Sequence, residues 1–234
     1  MLQLKNISKM YENNIVLKDI SFEVNEGSII GVVGANGAGK STLLSIISTV
    51  IEDYEGNIYY NGLDVKDNLI NIRNKIGYVP QQATLFEDLS VKDNIRFWAL
   101  ENNEEYLEKL LYILELKESL NKKVKNLSGG TKNRVNILIG IINKPSIIIL
   151  DEPLVGVSLS IKKKFFELLK ELASDSRLIF MSSHELWELE MICTDILIVR
   201  DKSLNSFNSI EVINEICKEQ EIKFWDYICE EGGL

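Results

Sequence analysis

The chain has 234 residues, of which 45% are hydrophobic, and its formal net charge at pH 7 is -9. This length and hydrophobic content suffice for one large domain, or for one domain with an insertion. The acidic balance argues against a nucleic-acid or anionic-lipid surface, because both demand clustered Lys and Arg. Cys193, Cys217 and Cys229 have no metal-ligand spacing and indicate reduced thiols.

The N-terminal segment MLQLKNISKMY lacks the apolar stretch of a signal peptide. The longest apolar runs, such as residues 29–35, fall far short of the ~20 residues that span a bilayer. We therefore expect a cytoplasmic protein.

The first half of the chain predicts strands in two layers. Alternation at residues 20–24 is typical of a half-buried strand, and the apolar run at 28–33 is typical of a strand covered on both faces. The further elements predicted in this half are a helix at about 40–49, a strand at 57–60 with a turn at Asn61-Gly62, and a strand at 76–79 that Pro80 ends.

The second half begins as a helical insertion. Over residues 91–143, leucines recur at spacings of three and four, as at Leu107, Leu110, Leu111 and Leu114. Strands and helices then alternate, which predicts a parallel core sheet. The elements predicted here are strands at 147–150, 178–181 and 196–199 and helices at 161–173 and 185–192. From Asn205 onwards the periodicity is weak.

The segment GANGAGKST follows an apolar strand and opens a helix, as a phosphate-binding loop does. Its glycines let successive backbone N–H groups converge on phosphate oxygens at the helix N-terminus. Lys40 is placed to reach the β- and γ-phosphates, the Ser41 hydroxyl to bind Mg²⁺, and Thr42 to support the α/β-phosphate region. The predicted nucleotide-binding residues are Gly34, Asn36, Gly37, Ala38, Gly39, Lys40, Ser41 and Thr42.

Two adjacent acids, Asp151 and Glu152, follow a strand of the same predicted sheet, so they open onto the crevice that holds the phosphate loop. Asp151 is placed to hold Mg²⁺, and Glu152 to polarise the attacking water as the catalytic base. Pro153 ends the strand.

A third motif, LSGGTKNR at residues 127–134, lies at the head of a helix. Ser128 is a suitable N-cap, and the two glycines leave backbone N–H groups free for an anion. Alone, this motif indicates only a capped helix.

In this order, the phosphate loop, the acid pair and LSGGTKNR resemble the ATP-binding cassette (ABC) family, and specifically a single cassette ATPase subunit of a membrane transporter. The resemblance covers about residues 1–203. It implies an α/β fold with a P-loop NTPase (RecA-like) core and parallel sheet, an N-terminal antiparallel β subdomain and an inserted α-helical subdomain.

One nucleotide-binding domain, residues 1–234, is implied. Residues 1–82 and 144–203 form the ATP-binding core with the β subdomain, 83–143 the helical subdomain, and 204–234 a short tail.

The same resemblance gives roles to four further residues. Tyr11 occupies the position that stacks on adenine, and Val16 lines the other side of the base. Gln81, in GYVPQQ, matches a catalytic-site glutamine that contacts Mg²⁺ and senses the membrane partner, with Gln82 a second candidate for that position. His184, in SSHE, matches a histidine that contacts the γ-phosphate.

Ser128, Gly129 and Gly130 match the family signature, which binds the γ-phosphate held by the opposite subunit. The resemblance thus implies a second ABC ATPase subunit, in a homodimer or heterodimer, with ATP and Mg²⁺ between the two. It also implies an integral membrane permease docked on residues 83–143, with Gln81 at the hinge, and no nucleic acid.

The segment after the acids departs from the family pattern E-P-T-x-G-L-D. Leu154, Val157 and Ser158 replace the threonine, leucine and aspartate, and Thr131 stands where the signature usually has glutamine. Ser158 can form a hydrogen bond but brings no charge.

We therefore expect an ATP-hydrolysing transporter subunit, an exporter, at the inner face of the cell membrane through its permease. The alternative is an ATP-dependent binding or regulatory subunit with little hydrolysis, which the altered loop motivates. A mechanical ATPase of the ribosome-acting or DNA-repair type needs a tandem cassette or a long coiled coil, and the sequence has neither. The transported substrate stays open.

Overall fold

The computed structural model describes residues 1–100 and 103–234. Its strands are β1 (Leu2–Tyr11), β2 (Asn14–Val24), β3 (Ile29–Val33), β4 (Glu55–Tyr60), β5 (Leu63–Asp64), β6 (Ile76–Val79), β7 (Ile147–Asp151), β8 (Leu178–Ser182), β9 (Asp195–Arg200) and β10 (Ser203–Ser209). Its α-helices are α1 (Lys40–Ile47), α2 (Leu69–Arg73), α3 (Val91–Trp98), α4 (Glu104–Ile113), α5 (Gly129–Ile141), α6 (Leu159–Ser174), α7 (Leu186–Ile192), α8 (Ile210–Glu219) and α9 (Phe224–Gly232).

The strands form two sheets. A four-stranded antiparallel sheet has the order β2-β1-β4-β5. A six-stranded sheet has the order β10-β9-β3-β8-β7-β6, in which β10 is antiparallel to β9 and the other neighbours are parallel. The α/β class, the parallel core and the N-terminal antiparallel sheet are therefore confirmed.

The parallel sheet is covered on both faces. Every residue of β3, β7 and β8 is buried, and apart from Asp151 and Ser182 at the ends of β7 and β8 these strands are continuous apolar runs. Ile30 and Val32 pack into a hydrophobic cluster with α1 and the antiparallel sheet, whereas Ile29 and Val33 pack into a second cluster with α5 and α6. Burial on both faces therefore fixes the strands, and with them the positions of the loops that follow the strand ends.

The antiparallel sheet is longer than predicted. β1 was not predicted, and β2 begins at Asn14 rather than at residue 20. Both strands contain a residue with positive φ, Asn6 at 53° and Asp19 at 51°, and the Asn6 amide donates to Asp19 Oδ1 over 2.6 Å. The register of the pair shifts between Leu4 and Ile7.

The C-terminal segment is more ordered than its weak periodicity indicates. β10 adds an edge strand to the large sheet, and the buried side chains of Ile213, Phe224, Tyr227 and Ile228 join its hydrophobic cluster. Cys193, Cys217 and Cys229 are free thiols, as predicted. Among the described helices, none is both long and apolar enough to cross a membrane.

Candidate active site

The loop between β3 and α1 has the shape of a phosphate cradle. Gly39 has φ at 106°, and a Cβ there would lie 2.6 Å from Leu17 Cδ2 and 2.8 Å from the carbonyl oxygen of Val16, so a larger residue does not fit. Asn36 and Gly37 lie exposed at the tip, and a Cβ on Gly37 would meet nothing within 4 Å. Within the described residues, no side chain caps the N-terminus of α1, which leaves its N–H groups for a ligand.

Lys40 is the buried cation of this loop. Its Nζ donates to the carbonyl oxygens of Gly34, over 2.7 Å, and Ala35, over 3.1 Å. Burial lowers the pKa of the Lys40 ammonium, and the carboxylates of Glu152 and Asp151 act in the opposite direction. The ammonium therefore lies within the field of both acids.

Asp151 ends β7 and is 3% exposed. Its Oδ1 accepts a hydrogen bond from Ser182 Oγ over 2.7 Å, and the same oxygen of Ser182 accepts from the backbone N–H of Glu152 over 2.9 Å. β8 lies between β3 and β7 in the sheet, so Ser182, at its end, lies between the phosphate loop and the acid pair. The first turn after β7 is thus held in place by a neighbouring strand.

Glu152 is held by two side chains. Its Oε2 accepts from Gln81 Nε2 over 3.1 Å, and its Oε1 lies 2.7 Å from His184 Nε2. Its backbone has φ at 48°, an unusual value for a residue with a Cβ that strained active-site positions often show. The structure thus brings the three predicted catalytic side chains into one cluster.

The signature segment lies at a different helix start. Ser128 is the N-cap of α5, and its Oγ accepts from the backbone N–H of Thr131 over 3.3 Å. A Cβ on Gly130 would lie 2.1 Å from the carbonyl oxygen of Gly156, so only glycine permits this approach. Asn133 Nδ2 also donates to the carbonyl oxygen of Val155 over 2.8 Å. The start of α5 is therefore braced against the loop that follows the acid pair.

That loop carries the departures from the family pattern. Leu154 and Val157 are buried in the hydrophobic cluster of α5 and α6, whereas Val155 is exposed. Ser158 precedes α6 and its Oγ lies 3.2 Å from Ser160 Oγ. The two apolar replacements thus anchor the loop, and Ser158 lies at the surface.

The two residues predicted to hold adenine lie on the hairpin of β1 and β2. Tyr11 ends β1 with its ring half exposed, and the Lys9 ammonium lies 4.7 Å from the ring centroid. Val16 is half-buried, and its carbonyl oxygen crowds the position of Gly39. The hairpin therefore lies against the phosphate loop.

A glycine-rich loop at the end of β3 and an acid pair at the end of β7 lie at the same edge of one parallel sheet, with a buried lysine between them. This arrangement defines a nucleotide-hydrolysing enzyme of the phosphate-loop class.

Comparisons with known proteins identify the family. The ABC transporter family model matches residues 17–155. A linearmycin resistance ATP-binding protein of Bacillus subtilis is 34% identical over 206 residues, which are 85% of this chain and 66% of that protein. An uncharacterized ABC transporter ATP-binding protein of Methanocaldococcus jannaschii is 34% identical over 224 residues, which are 93% of this chain and 80% of that protein.

Solved structures agree. The ATP-binding subunit of an ABC transporter superposes with a TM-score of 0.90 at 26% identity and covers 100% of both chains. A dimeric ATP-binding cassette bound to ADP and Pi, in a post-hydrolysis state, superposes with a TM-score of 0.79 at 28% identity, over 90% of this chain and 99% of that one.

The chain therefore belongs to the ABC transporter family, as its sequence motifs predict, and is an ATPase whose ligands are ATP and Mg²⁺. The residues present fit these ligands. Among the described residues, the ammonium of Lys40 donates only to carbonyl oxygens of its own loop, which a phosphate can replace, and Asp151 presents a buried carboxylate, the kind of ligand that Mg²⁺ prefers.

One residue of this site was missed in the sequence. Ser182 links Asp151 to the backbone of Glu152, yet it is an ordinary small residue at the end of a strand. The signal available was its position: it ends an apolar strand two residues before His184, in a sheet whose strand ends form the site.

Proposed function

We propose that this chain is the motor subunit of a membrane exporter and that two cassettes close on ATP to drive a separate permease. The observation that carries this proposal is that the catalytic cluster and a second, exposed helix start suited to an anion are built from different elements. The catalytic side chains cluster around Glu152, whereas Ser128 and Gly129 are exposed on the start of α5.

The proposed binding and catalytic roles are as follows. Lys40 holds the β- and γ-phosphates, and Tyr11 and Val16 hold the adenine ring. Ser41, Gln81 and Asp151 would hold Mg²⁺, which would neutralise charge that develops on the phosphates.

Glu152 accepts the proton of the attacking water, and its contacts with Gln81 and His184 orient it. His184 also reaches the γ-phosphate.

The second cassette, a copy of this chain or a related subunit, contributes its residues 128–130 to this site. The exposed N–H groups at the start of α5 suit the γ-phosphate of ATP bound to the facing subunit. ATP then favours the closed pair, and hydrolysis favours the open one.

The permease docks on the helical segment 83–143. Three aromatic side chains, Phe86, Phe97 and Trp98, contact one another and are exposed, with ring centroids 4.7 Å apart for Phe86 and Phe97 and 5.1 Å for Phe97 and Trp98. Exposed apolar clusters of this kind mark protein contacts. Gln81 lies five residues before Phe86, so permease movement reaches the carboxylate of Glu152 through a short segment.

The remaining assignments complete the proposal. Residues 1–82 and 144–203 act as the ATP-binding core, 83–143 as the helical subdomain, and 204–234 as a short C-terminal unit. The permease holds the chain at the inner face of the membrane. Export is supported by the Bacillus subtilis relative, named for resistance to linearmycin, because removing a toxic compound from a cell requires outward transport.

A regulatory subunit with little hydrolysis is the second candidate, because Ser158 carries no charge. Phosphate release by the purified protein, with Mg-ATP and with ATP plus a chelator, distinguishes the two. The motor predicts magnesium-dependent release; binding of ATP with no release favours the regulatory subunit.

Membrane association tests the permease surface. Phe97→Asp should release the chain from membranes of its source cell, whereas Tyr112→Asp should not. The two aromatic side chains are similarly exposed, at 61% and 67%, but Tyr112 lies outside the aromatic cluster. Equal association of both variants contradicts the proposed surface.

A further inference from the structure

A buried ion pair lies behind the turn that carries His184. Glu188, on α7, is 2% exposed, and its Oε1 lies 2.5 Å from the Nζ of Lys162, on α6. The ring of Trp187 covers the same ammonium, with its centroid 5.6 Å away. The two charges therefore face each other with little access to water.

The second oxygen of Glu188 holds the turn itself. Ser183 Oγ donates to Glu188 Oε2 over 2.6 Å, and the backbone N–H of Glu185 donates to Ser183 Oγ over 3.0 Å. His184 lies between these two residues in the chain, so its backbone is fixed on both sides. Its Nε2 lies 2.7 Å from Glu152 Oε1.

The same pair connects this turn to the loop after the acid pair. Lys162 lies in the first turn of α6, and its backbone N–H donates to the carbonyl oxygen of Ser158 over 3.0 Å. Lys162 thus contacts both the residue before α6 and the carboxylate of Glu188.

Stability alone gives little reason for this pair. Replacing a buried ion pair with apolar residues of similar volume is often neutral or stabilising, because two charges must be removed from water. α6 and α7 already pack through apolar rings, with Phe166 and Trp187 centroids 6.1 Å apart. What an apolar pair lacks is an acceptor for the Ser183 hydroxyl.

We propose that Glu188 and Ser183 are positioning residues for His184: together they hold its turn so that the imidazole meets Glu152. The inference rests on the roles proposed above for Glu152 and His184. It predicts that the acceptor on residue 188 matters for turnover and that the charge does not.

Two neutral double variants separate acceptor from charge. Lys162→Met with Glu188→Gln removes both charges but keeps a side-chain oxygen for Ser183, so we expect kcat within about twofold of the unmodified protein. Lys162→Met with Glu188→Leu removes the acceptor as well, and kcat should fall about tenfold or more, with an unchanged KM for ATP, because a small misplacement of a catalytic group is costly. Lys163→Met, at an exposed position of the same helix, is the control and should match the unmodified protein.

The His184→Ala background tests the route of the effect. If the positioning residues act through His184, the Glu188→Leu double variant causes no further loss there. Equal kcat for the two double variants, or a tenfold loss that persists without His184, overturns the inference. Full turnover of His184→Ala alone contradicts instead the role proposed for that histidine.

Ser183→Ala covers the case in which the Leu variant does not fold. It removes one hydroxyl, and we expect the same fall in kcat, with recovery in Ser183→Thr because threonine retains the donor. An unchanged kcat for Ser183→Ala overturns the inference.

Discussion

Helices α1 and α5 both begin after glycines, yet their starts are built for different tasks. The start of α1 encloses a buried cation. Lys40 donates to two carbonyl oxygens of its own loop and interacts electrostatically with the carboxylates of Glu152 and Asp151. The start of α5 is capped by Ser128, is exposed, and is braced from behind by the backbone of Gly156. The α1 start places a buried cation beside N–H groups that no side chain of the described residues caps, whereas the α5 start carries a serine cap and faces outward.

This difference indicates that one chain contributes two separate parts to ATP sites. The residues proposed to bind the phosphates and position the catalytic base lie after the ends of β3, β6, β7 and β8. The loop after β7 contacts the start of α5 through Val155 and Gly156, so the segment that carries the catalytic turn also supports the outward-facing start of α5. In our account, this stretch couples hydrolysis in one cassette to contact with the other.

The largest effect is expected at the proposed catalytic base, Glu152, whose carboxylate acts on Lys40 at the start of α1. Glu152→Gln removes the base but keeps a side chain of the same shape, so ATP turnover should fall by about 10²–10⁴-fold. ATP affinity should be unchanged, and the variant should form a stable ATP-bound dimer on size-exclusion chromatography. Glu190→Gln, on the exposed face of α7, is the matched control. A Glu152→Gln chain that stays monomeric and hydrolyses ATP normally contradicts the proposed base.

Lys40→Ala removes the cation from the same helix start. A charge-assisted contact contributes roughly 1.5–3 kcal/mol, so affinity for ATP should weaken at least about tenfold. Titration with a fluorescent ATP analogue measures this, with Lys163→Ala as the control. Unchanged affinity for the Lys40 variant means that the α1 start does not bind phosphate through its cation.

Gly130→Ala tests the brace on the α5 side. The new Cβ would lie 2.1 Å from the Gly156 carbonyl oxygen, so the free energy of unfolding should fall by about 1–3 kcal/mol. At Gly129 nothing lies within 4 Å of a new Cβ, and Gly129→Ala should leave stability unchanged or slightly raised. Denaturant titration compares the two, and equal midpoints would mean that α5 and the loop are not in contact.

The smallest effect is expected at Ser158. An aspartate there restores the charge of the family pattern at the proposed surface between cassettes, and one better-placed contact of ~0.5–1.5 kcal/mol should raise turnover about twofold to tenfold. Ser160→Asp adds the same charge two residues later and should not. Turnover of the complex reconstituted with the permease is the measurement. An unchanged rate for Ser158→Asp means that Leu154 and Val157 have repacked the loop rather than weakened it.

The parallel core was predictable because burial on both faces leaves continuous apolar runs in the sequence. β1 was not, and the physical reason lies in Asn6. Its positive φ inserts an irregularity between Leu4 and Ile7, so the buried positions change phase and the alternation that signals a strand is lost. Asp19 does the same to β2, which explains why only its second half was predicted.

The catalytic residues were predictable through motifs whose chemistry is local in sequence. The contacts that hold them were not, because they join positions far apart in the chain. Ser182 meets Asp151 only after β7 and β8 pair, and Lys162 meets Glu188 only after α6 and α7 pack. No short-range pattern records either contact.

Mixing two defective chains tests most directly the claim that each site is shared. Lys40→Ala disables the α1 start but leaves the α5 start intact. Ser128→Arg does the reverse by placing a bulky side chain at the exposed N-cap of α5. Each variant alone should have little turnover, whether purified or reconstituted with the permease. A mixture should recover activity, because one pairing brings an intact Lys40 opposite an intact Ser128. Two results would contradict the shared site. One is a Ser128→Arg chain that hydrolyses ATP at the rate of the unmodified protein. The other is a mixture no more active than either variant alone, measured beside an unmodified protein that is active.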